Sequence, residues 1–264
     1  GVNAPHAARD MGVRRVMQFF RPLPLLSNPH VQTMLGNLVS GHRRTPRALR
    51  RVVALPDGDR IGLLETPPRA PHPAQPLAVL VHGLGGSHRS GYMIRMTHRL
   101  SERGFRVFRM DLRAGGIGLR LARRFYTAAC SDDVRAVIDA LLAAHPGSPC
   151  ALAGFSLGGN IVLKYAGELG EDAPSALCAV AALAPPIDLP RCSEMIARLP
   201  WYDRYYVRNL TRQVARHQLA FPDLPPIVFP PGTTLRLFDD LYTAPRWGYA
   251  DALDYYRQAS AYPR

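Results

Sequence analysis

The hydrophobic positions along the chain alternate between short apolar runs and longer stretches in which apolar residues recur every three or four positions. The short runs predict β-strands at 50–55, 61–66, 77–81, 105–110, 150–153 and 176–183. The helical spacing predicts helices at 92–103, 132–144, 158–170 and 251–262. A hairpin followed by repeated strand–helix units indicates an α/β fold with a mostly parallel sheet and helices on both faces.

The strand at 150–153 leads into a sharp, glycine-rich turn. Ser156 lies where the strand gives way to a helix, and Gly154 and Gly158 leave room around it. This pattern is typical of a nucleophilic serine that is held in a strained backbone conformation with its hydroxyl exposed. The N–H of Leu157 begins the helix, where the dipole favours negative charge, so it is a candidate oxyanion donor. An ordinary turn between a strand and a helix is the alternative.

A second glycine-rich turn, His82-Gly83-Leu84-Gly85-Gly86, follows the strand at 77–81. Because the carboxyl ends of parallel strands meet at one edge of a sheet, this turn and Ser156 are predicted to converge on one site. The N–H of Leu84 is the second candidate oxyanion donor. We expect the ring of His82 to fix the geometry of the turn rather than to act as a base.

The strand–helix alternation ends after Pro185-Pro186. Residues 187–256 are rich in aromatic residues and interrupted by prolines. Such a segment suits a cap over an apolar pocket, although its rings can equally belong to the core. Within it, one helical stretch has an arginine face and an opposite apolar face. The arginine face would meet anionic lipid or simply be solvated. The arginine face consists of Arg204, Arg208, Arg212 and Arg216, and the opposite face consists of Tyr202, Tyr206, Leu210 and Val214.

Composition limits the remaining possibilities. A chain of 264 residues can bury one large α/β core, and it carries no apolar run long enough to span a bilayer. The formal charge of +13, which comes almost entirely from arginine, favours anionic partners, but no nucleic-acid-binding module is recognisable. The four cysteines have neither paired nor metal-ligand spacing. They indicate reduced thiols in a cytoplasmic protein. No cluster of His, Asp, Glu and Cys has ligand spacing, so we expect no metal, and we expect no cofactor.

Four motifs together resemble one family. The sequence is similar to the YheT-like branch of the α/β-hydrolase superfamily, which includes yeast medium-chain ester synthase/esterases and mammalian abhydrolase-domain lipases. The resemblance extends over the chain from about Phe19 onward. The motifs are Asn28-Pro29-His30-Val31-Gln32-Thr33, 81–87, 154–160 and 243–249.

The resemblance implies an α/β-hydrolase fold and a serine esterase that acts on short- to medium-chain esters or acylglycerols, sometimes with acyl transfer to an alcohol. The acyl group would be carried on Ser156. We expect residues 1–50 to form an irregular arm that packs on the core. Residues 51–264 would form the hydrolase domain, with a cap at about 187–250. Peripheral contact with an anionic membrane is a further expectation.

The sequence departs from the family pattern at three places. The usual Asn-x-Arg-Gly is Asp111-Leu112-Arg113-Ala114, and the usual Tyr-His pair is Tyr126-Thr127. In this family the acid and the histidine of the triad follow the serine in that order. No histidine follows His217, and Asp239 and Asp240 come after it.

The order of acid and histidine at the end of the sequence leaves three possibilities. We expect residues 1–264 to hold the nucleophile and the oxyanion donors without the acid, the histidine and the last two strands, so that they form part of an esterase. A triad of Ser156, Asp239 or Asp240, and His217 is a weaker possibility. The alternative function is an inactive hydrolase-fold protein that binds lipid.

Overall fold

The computed structural model describes residues 44–70 and 74–262. Within them, six strands form one sheet. The apolar runs of the sequence account for all six because each run is the right length to cross a sheet and is bounded by turn residues. The strands are β1 (Leu49–Ala54), β2 (Arg60–Thr66), β3 (Leu77–Val81), β4 (Arg106–Asp111), β5 (Cys150–Phe155) and β6 (Leu177–Leu183).

Helices connect and follow these strands. Where the sequence analysis predicted a helix, one is present within a few residues of the expected bounds. The α-helices are α1 (Gly91–Ser101), α2 (Ser131–Ala144), α3 (Leu157–Leu169), α4 (Leu189–Ala197), α5 (Pro200–Ala220), α6 (Leu235–Phe238), α7 (Ala244–Trp247) and α8 (Ala252–Ala259). Short 3-10 turns span Gly116–Arg120 and Gly170–Asp172, and a π-helical segment spans Asp239–Thr243.

The sheet has the strand order β1-β2-β4-β3-β5-β6. The pairs β1–β2 and β2–β4 are antiparallel, and the pairs from β4 through β3 and β5 to β6 are parallel. The predicted hairpin is therefore confirmed, with Gly58 in its turn at a positive φ of 88°. The parallel part places the carboxyl ends of β3 and β5 side by side, because Val81 pairs with Gly154.

Both faces of the sheet are covered by helices, which confirms the predicted fold class. Alternate residues of β3 point to opposite faces. Leu77, Val79 and Val81 join the larger core with residues of α2 and α3, whereas Ala78 and Leu80 pack with residues of α1. All five residues of β3 are buried, which explains its continuous apolar sequence.

A buried cluster of charges lies beside this core. Arg113, which is 5% exposed, donates to both carboxylate oxygens of Asp133 at 2.8 and 2.6 Å. Its Nη1 also donates to Asp57 at 2.6 Å and to Asp59 at 2.9 Å. One guanidinium therefore joins the hairpin turn, the segment after β4 and α2.

Several predicted bounds change. Strand β1 begins at Leu49, inside the arm expected at 1–50, and the rest of that arm up to residue 43 lies outside the described residues, as does the motif at 28–33. After β6, the described residues form helices and loops only. None of the helices in the two described ranges is long and apolar enough to cross a membrane.

Candidate active site

The turn between β5 and α3 holds Ser156 in an unusual conformation. Ser156 has φ of 50° and ψ of −120°, and it is exposed. A Cβ on Gly154 would stand 2.1 Å from the carbonyl oxygen of Gly158, and one on Gly158 would stand 2.5 Å from that of His82. Both positions therefore exclude a side chain, because these neighbours are backbone atoms that cannot move aside. The result is a strained, exposed serine at the start of a helix.

The turn after β3 approaches Ser156 closely. A Cβ on Gly83 would lie 2.9 Å from the Cβ of Ser156 and 3.5 Å from its Oγ. Gly83 is thus the residue that lets the two turns meet, as the strand pairing between Val81 and Gly154 requires. The convergence expected from the sequence is present.

Of the five backbone N–H groups at 83–87 in this second turn, four donate hydrogen bonds to described residues. The N–H groups of Gly83, Gly85, Gly86 and Ser87 donate to the Tyr92 hydroxyl, the Tyr126 hydroxyl, the Gly83 carbonyl and the Ser90 hydroxyl, at 2.9 to 3.1 Å. The N–H of Leu84 donates to none of the described residues. An unused donor beside an exposed serine is the arrangement that an oxyanion requires.

The second candidate donor is the N–H of Leu157. Leu157 is the first residue of α3, so its N–H has no partner within the helix, and the positive end of the helix dipole lies there. The N–H of Ser156 itself donates to the carbonyl of Leu183 at 2.9 Å, which ties the elbow to the end of β6. Leu84 and Leu157, one from each turn, thus line the same cavity as Ser156.

His82 is fully buried and occupied on both ring nitrogens. Its Nδ1 donates to the carbonyl of Gly83 at 2.8 Å, and its Nε2 accepts from the N–H of Leu112 at 3.1 Å. Burial lowers the pKa of His82, against an opposing effect of Asp111, so the neutral ring is favoured. Both ring nitrogens of His82 are thus engaged by backbone groups, which leaves neither of them for Ser156.

Ser156 opens onto a cavity of about 360 Å³ with mainly apolar walls. Helices α4 and α5 and the segment 235–243 form much of the wall, together with Leu84, Phe125 and Thr127. Tyr206, Phe238, Tyr255 and Tyr256 line it, whereas Trp201 and Tyr205 are exposed. Some aromatic residues after Pro186 therefore line the cavity, whereas others lie on the surface.

Asp239 is the one charged side chain among the described residues that line this cavity. Its carboxylate accepts from the hydroxyl of Thr243 at 2.6 Å and from that of Tyr256 at 2.7 Å. Burial raises the pKa of Asp239 to about 6, although both hydroxyls oppose the rise. Asp239 also begins the π-helical segment, a feature that is frequent at functional sites.

The structure does not bring together a triad of Ser156, Asp239 or Asp240, and His217. Nε2 of His217 donates to the carbonyl of Ala122 at 2.9 Å, and His217 does not line the cavity. Asp240 accepts from the N–H of Ala252 at 2.7 Å, at the start of α8. Among the described residues, no histidine lines the cavity onto which Ser156 opens.

Sequence reasoning missed the side chains that hold the turns. Asp111 accepts from the backbone N–H of His88 and from its Nδ1, both at 2.6 Å, and from the N–H of Ile117 at 2.8 Å. Tyr92 and Tyr126 hold Gly83 and Gly85. The family motifs had marked Asp111 and Tyr126 as notable positions, but nothing local in the sequence indicated their partners.

The described residues offer no group of three or more metal-ligating side chains. All four cysteines are free thiols, and burial raises the pKa of Cys130 to about 12. Thiolate chemistry at Cys130 is therefore disfavoured at neutral pH.

Comparison with known proteins identifies similar chains. A family model described as the alpha/beta hydrolase fold matches residues 76–222. The Escherichia coli (strain K12) protein YheT, which is provisionally named as an esterase, is 34% identical over 251 residues, with 92% of this chain and 72% of that protein covered. The mouse phospholipase ABHD3 is 31% identical over 192 residues, covering 70% of this chain and 46% of its own.

A third relative comes from yeast. The Saccharomyces cerevisiae (strain ATCC 204508 / S288c) medium-chain fatty acid ethyl ester synthase/esterase 2 is 28% identical over 216 residues, covering 72% of this chain and 48% of its own. This chain thus spans about half the length of the mouse and yeast relatives that it matches. The names of all three relatives describe esterases, an ester synthase or a phospholipase.

Proposed function

Because this chain belongs to the α/β-hydrolase fold family, we propose that it acts as a serine carboxylic-ester hydrolase with Ser156 as its nucleophile. The observation that carries this proposal is the pairing of a strained, exposed serine with two backbone donors, Leu84 and Leu157, at the mouth of an apolar cavity. The esterase names of the relatives support the same class.

In the proposed reaction, Oγ of Ser156 attacks the carbonyl carbon of the ester and its proton passes to a general base. The N–H groups of Leu84 and Leu157 stabilise the negative oxygen of the tetrahedral intermediate. The bond to the leaving alcohol then breaks, and the alcohol takes the proton. Water, or a second alcohol, attacks the acyl-enzyme in the same way and releases the acid or a new ester.

The substrate class follows from the cavity. A mainly apolar space of about 360 Å³ suits a short to medium acyl chain. Asp239, with Thr243 and Tyr256, supplies a polar patch in the same wall, which suits a hydroxyl of the alcohol part. Short- to medium-chain acyl esters or acylglycerols are therefore the proposed substrates.

Among the described residues, no histidine lines this cavity to serve as the general base. We propose that it and its orienting acid come from polypeptide outside the described residues. The proposal requires that the native protein, isolated from its own cell, hydrolyses p-nitrophenyl butyrate and octanoate. Ser156→Ala should reduce turnover by about three orders of magnitude or more, whereas Ser175→Ala, at an exposed loop position, should leave it unchanged. Undiminished turnover by Ser156→Ala would overturn the assignment.

A second candidate is lipid binding without turnover. The absence of a histidine from the described lining of the cavity favours it. This candidate predicts that the native protein carries lipid in a one-to-one ratio and forms no acyl-enzyme with p-nitrophenyl esters. A covalent adduct on Ser156, detected by intact mass, would exclude it.

We also propose that the protein is cytoplasmic and touches anionic membrane through α5. The four free cysteines suit a reducing compartment. In α5, Arg204, Arg208, Arg212 and Arg216 are exposed, while Val207, Leu210 and Val214 are buried. Flotation with phosphatidylserine vesicles, compared with phosphatidylcholine vesicles, tests this contact.

A further inference from the structure

A second cavity, of about 680 Å³, adjoins the turn that carries Leu84. Gly85, Gly86 and Ser87 line it, but it shares no lining residue with the cavity onto which Ser156 opens. The two cavities therefore use different residues of one turn. Whatever occupies the second cavity contacts the turn without entering the proposed acyl pocket.

Four arginines from four separate parts of the fold line this second cavity. Arg50 lies in β1, Arg89 precedes α1, Arg120 ends a 3-10 turn and Arg216 lies in α5. None of the four forms an ion pair with a described residue, and no acidic residue is among the described lining. The cavity wall thus carries four positive charges, and the carboxylate of Asp111 lies behind it, bonded to His88 and Ile117 of the lining.

Four other arginines of this fold differ from those around the cavity, because each has a carboxylate partner. Arg113 contacts three aspartates, Arg51 and Arg106 both bond to Glu65, and Arg123 bonds to Asp223. A carboxylate accompanies each of these four arginines, whereas Arg109 and Arg246 donate to the backbone carbonyls of His88 and Pro225. Like charges that share one space repel one another unless an anion enters. The unpaired set around the second cavity is therefore suited to a ligand rather than to the fold.

His88 adds a buried polar group to the same cavity. It is 6% exposed, and its Nδ1 bonds to Oδ2 of Asp111 at 2.6 Å. Asp111 thereby fixes the orientation of the ring, while Nε2 has no partner among the described residues. That nitrogen can accept the proton of a P–OH group or, when protonated, donate to an anionic oxygen. Ser87 and Gln213 line the cavity beside it.

We propose that this cavity binds a phosphate group, held by the guanidinium groups of Arg50, Arg89, Arg120 and Arg216 with His88 beneath them. Arginine forks match phosphate oxygens in two-point hydrogen bonds. A space of about 680 Å³ has room for the phosphate and for part of the molecule esterified to it. The ligand class is a phosphate monoester, which is either a soluble metabolite or the headgroup of a phospholipid.

This inference goes beyond the proposed ester hydrolysis and does not rest on it. The test is binding, so it uses neither Ser156 nor turnover. Titration calorimetry with inorganic phosphate and with glycerol 3-phosphate measures the soluble arm. Co-sedimentation with phosphatidic acid vesicles, against phosphatidylcholine vesicles, measures the headgroup arm. Binding in either arm that depends on the cavity arginines supports the proposal and identifies the source.

Arg216→Ser is the diagnostic variant and Arg208→Ser is its matched control. Both arginines are exposed on α5 and lie two turns apart, but only Arg216 lines the second cavity. In the calorimetric titrations we expect Arg216→Ser, and likewise Arg120→Ser, to weaken binding of the soluble phosphate probes by about tenfold to a hundredfold, while Arg208→Ser stays within about twofold. Thermal unfolding of each variant checks that the fold is retained.

Two results would overturn the proposal. One is the absence of saturable binding of every phosphate probe by the wild-type protein. The other is an equal loss of affinity for inorganic phosphate and glycerol 3-phosphate in Arg208→Ser and Arg216→Ser, which would mean attraction to the overall positive charge and not to a site. A Ser156→Ala protein should bind phosphate as the wild type does, so failure here is separable from failure of the esterase proposal.

Discussion

The hydroxyl of Tyr126 accepts a hydrogen bond from the backbone N–H of Gly85 at 2.9 Å. The same hydroxyl donates to Oε1 of Gln213 in α5 at 3.1 Å. Tyr126 is buried, and its ring lines the cavity onto which Ser156 opens. One phenol therefore connects the turn that carries the unused N–H of Leu84 to the long helix above it.

Removing this hydroxyl should loosen the turn. In Tyr126→Phe, the N–H of Gly85 and the amide of Gln213 both lose a partner, so the N–H of Leu84 is held less firmly. We expect kcat for p-nitrophenyl butyrate in the native enzyme to fall about tenfold, with KM changed by less than twofold, because the loss affects the transition state. An equal rise in KM with kcat intact would instead indicate a role in binding.

Tyr165 provides a matched control with the opposite expectation. Its side chain is fully buried, and its hydroxyl has no hydrogen-bond partner among the residues that the structure describes. Burying an unpaired hydroxyl is unfavourable, so Tyr165→Phe should raise the free energy of unfolding by about 1 kcal/mol. Urea unfolding measures this change, and kcat should not move. Destabilisation of Tyr165→Phe would show that the hydroxyl has a partner after all.

Asp239 predicts a particular dependence of stability on pH. Burial raises its pKa from 3.8 to about 6, so the native state binds more protons than the unfolded state between these values. Its contribution to stability is therefore fully present below about pH 4 and is lost as pH rises through 6. A shift of about two pKa units corresponds to about 3 kcal/mol.

Comparison of the wild type with Asp239→Asn at two pH values isolates this group. The difference in unfolding free energy between them should change by about 3 kcal/mol from pH 4 to pH 7.5, to the disadvantage of the wild type at the higher pH. Asp172→Asn, at an exposed turn, should show no such change. A constant difference between wild type and Asp239→Asn would mean that the pKa of Asp239 is ordinary.

Ala114 predicts a gain in stability. It has a positive φ of 57°, a conformation that costs a residue with a Cβ about 1 kcal/mol or more. The related family usually has glycine at this place, which the strained backbone explains. Ala114→Gly should raise the free energy of unfolding by about 1 kcal/mol, whereas Ala136→Gly, inside α2, should lower it by a similar amount. Destabilisation by both substitutions would contradict the interpretation.

Local patterns account for what the sequence could predict. The apolar runs predicted the strands, and the glycines around Ser156 predicted the turn between β5 and α3. Arginine at every fourth position predicted helix α5. Each of these patterns extends over only a few residues. The meeting of the two turns also followed, because the order of parallel strands brings their carboxyl ends together. The N–H of Leu84 could be named as a candidate for the same reason.

The polar partners could not be predicted in this way. Arg113 and Asp59 are 54 residues apart in sequence, and Asp111 and His88 are 23 apart. Such pairs depend on where the closed chain places two side chains, which no local spacing records. For the same reason, the sequence did not predict that four arginines would line one cavity. In sequence they are four members of an arginine-rich chain, and only Arg216 lay in a recognisable pattern.

The buried contacts of Arg113 have a consequence for how this sequence can change over generations. Loss of the guanidinium alone would leave Asp57, Asp59 and Asp133 as uncompensated charges at the edge of the core, and loss of Asp133 alone would leave most of the guanidinium unmatched. Each single step is unfavourable because it leaves a charge without its partner. Among homologous sequences, these four positions should therefore covary, so that the four residues are either all retained or all replaced.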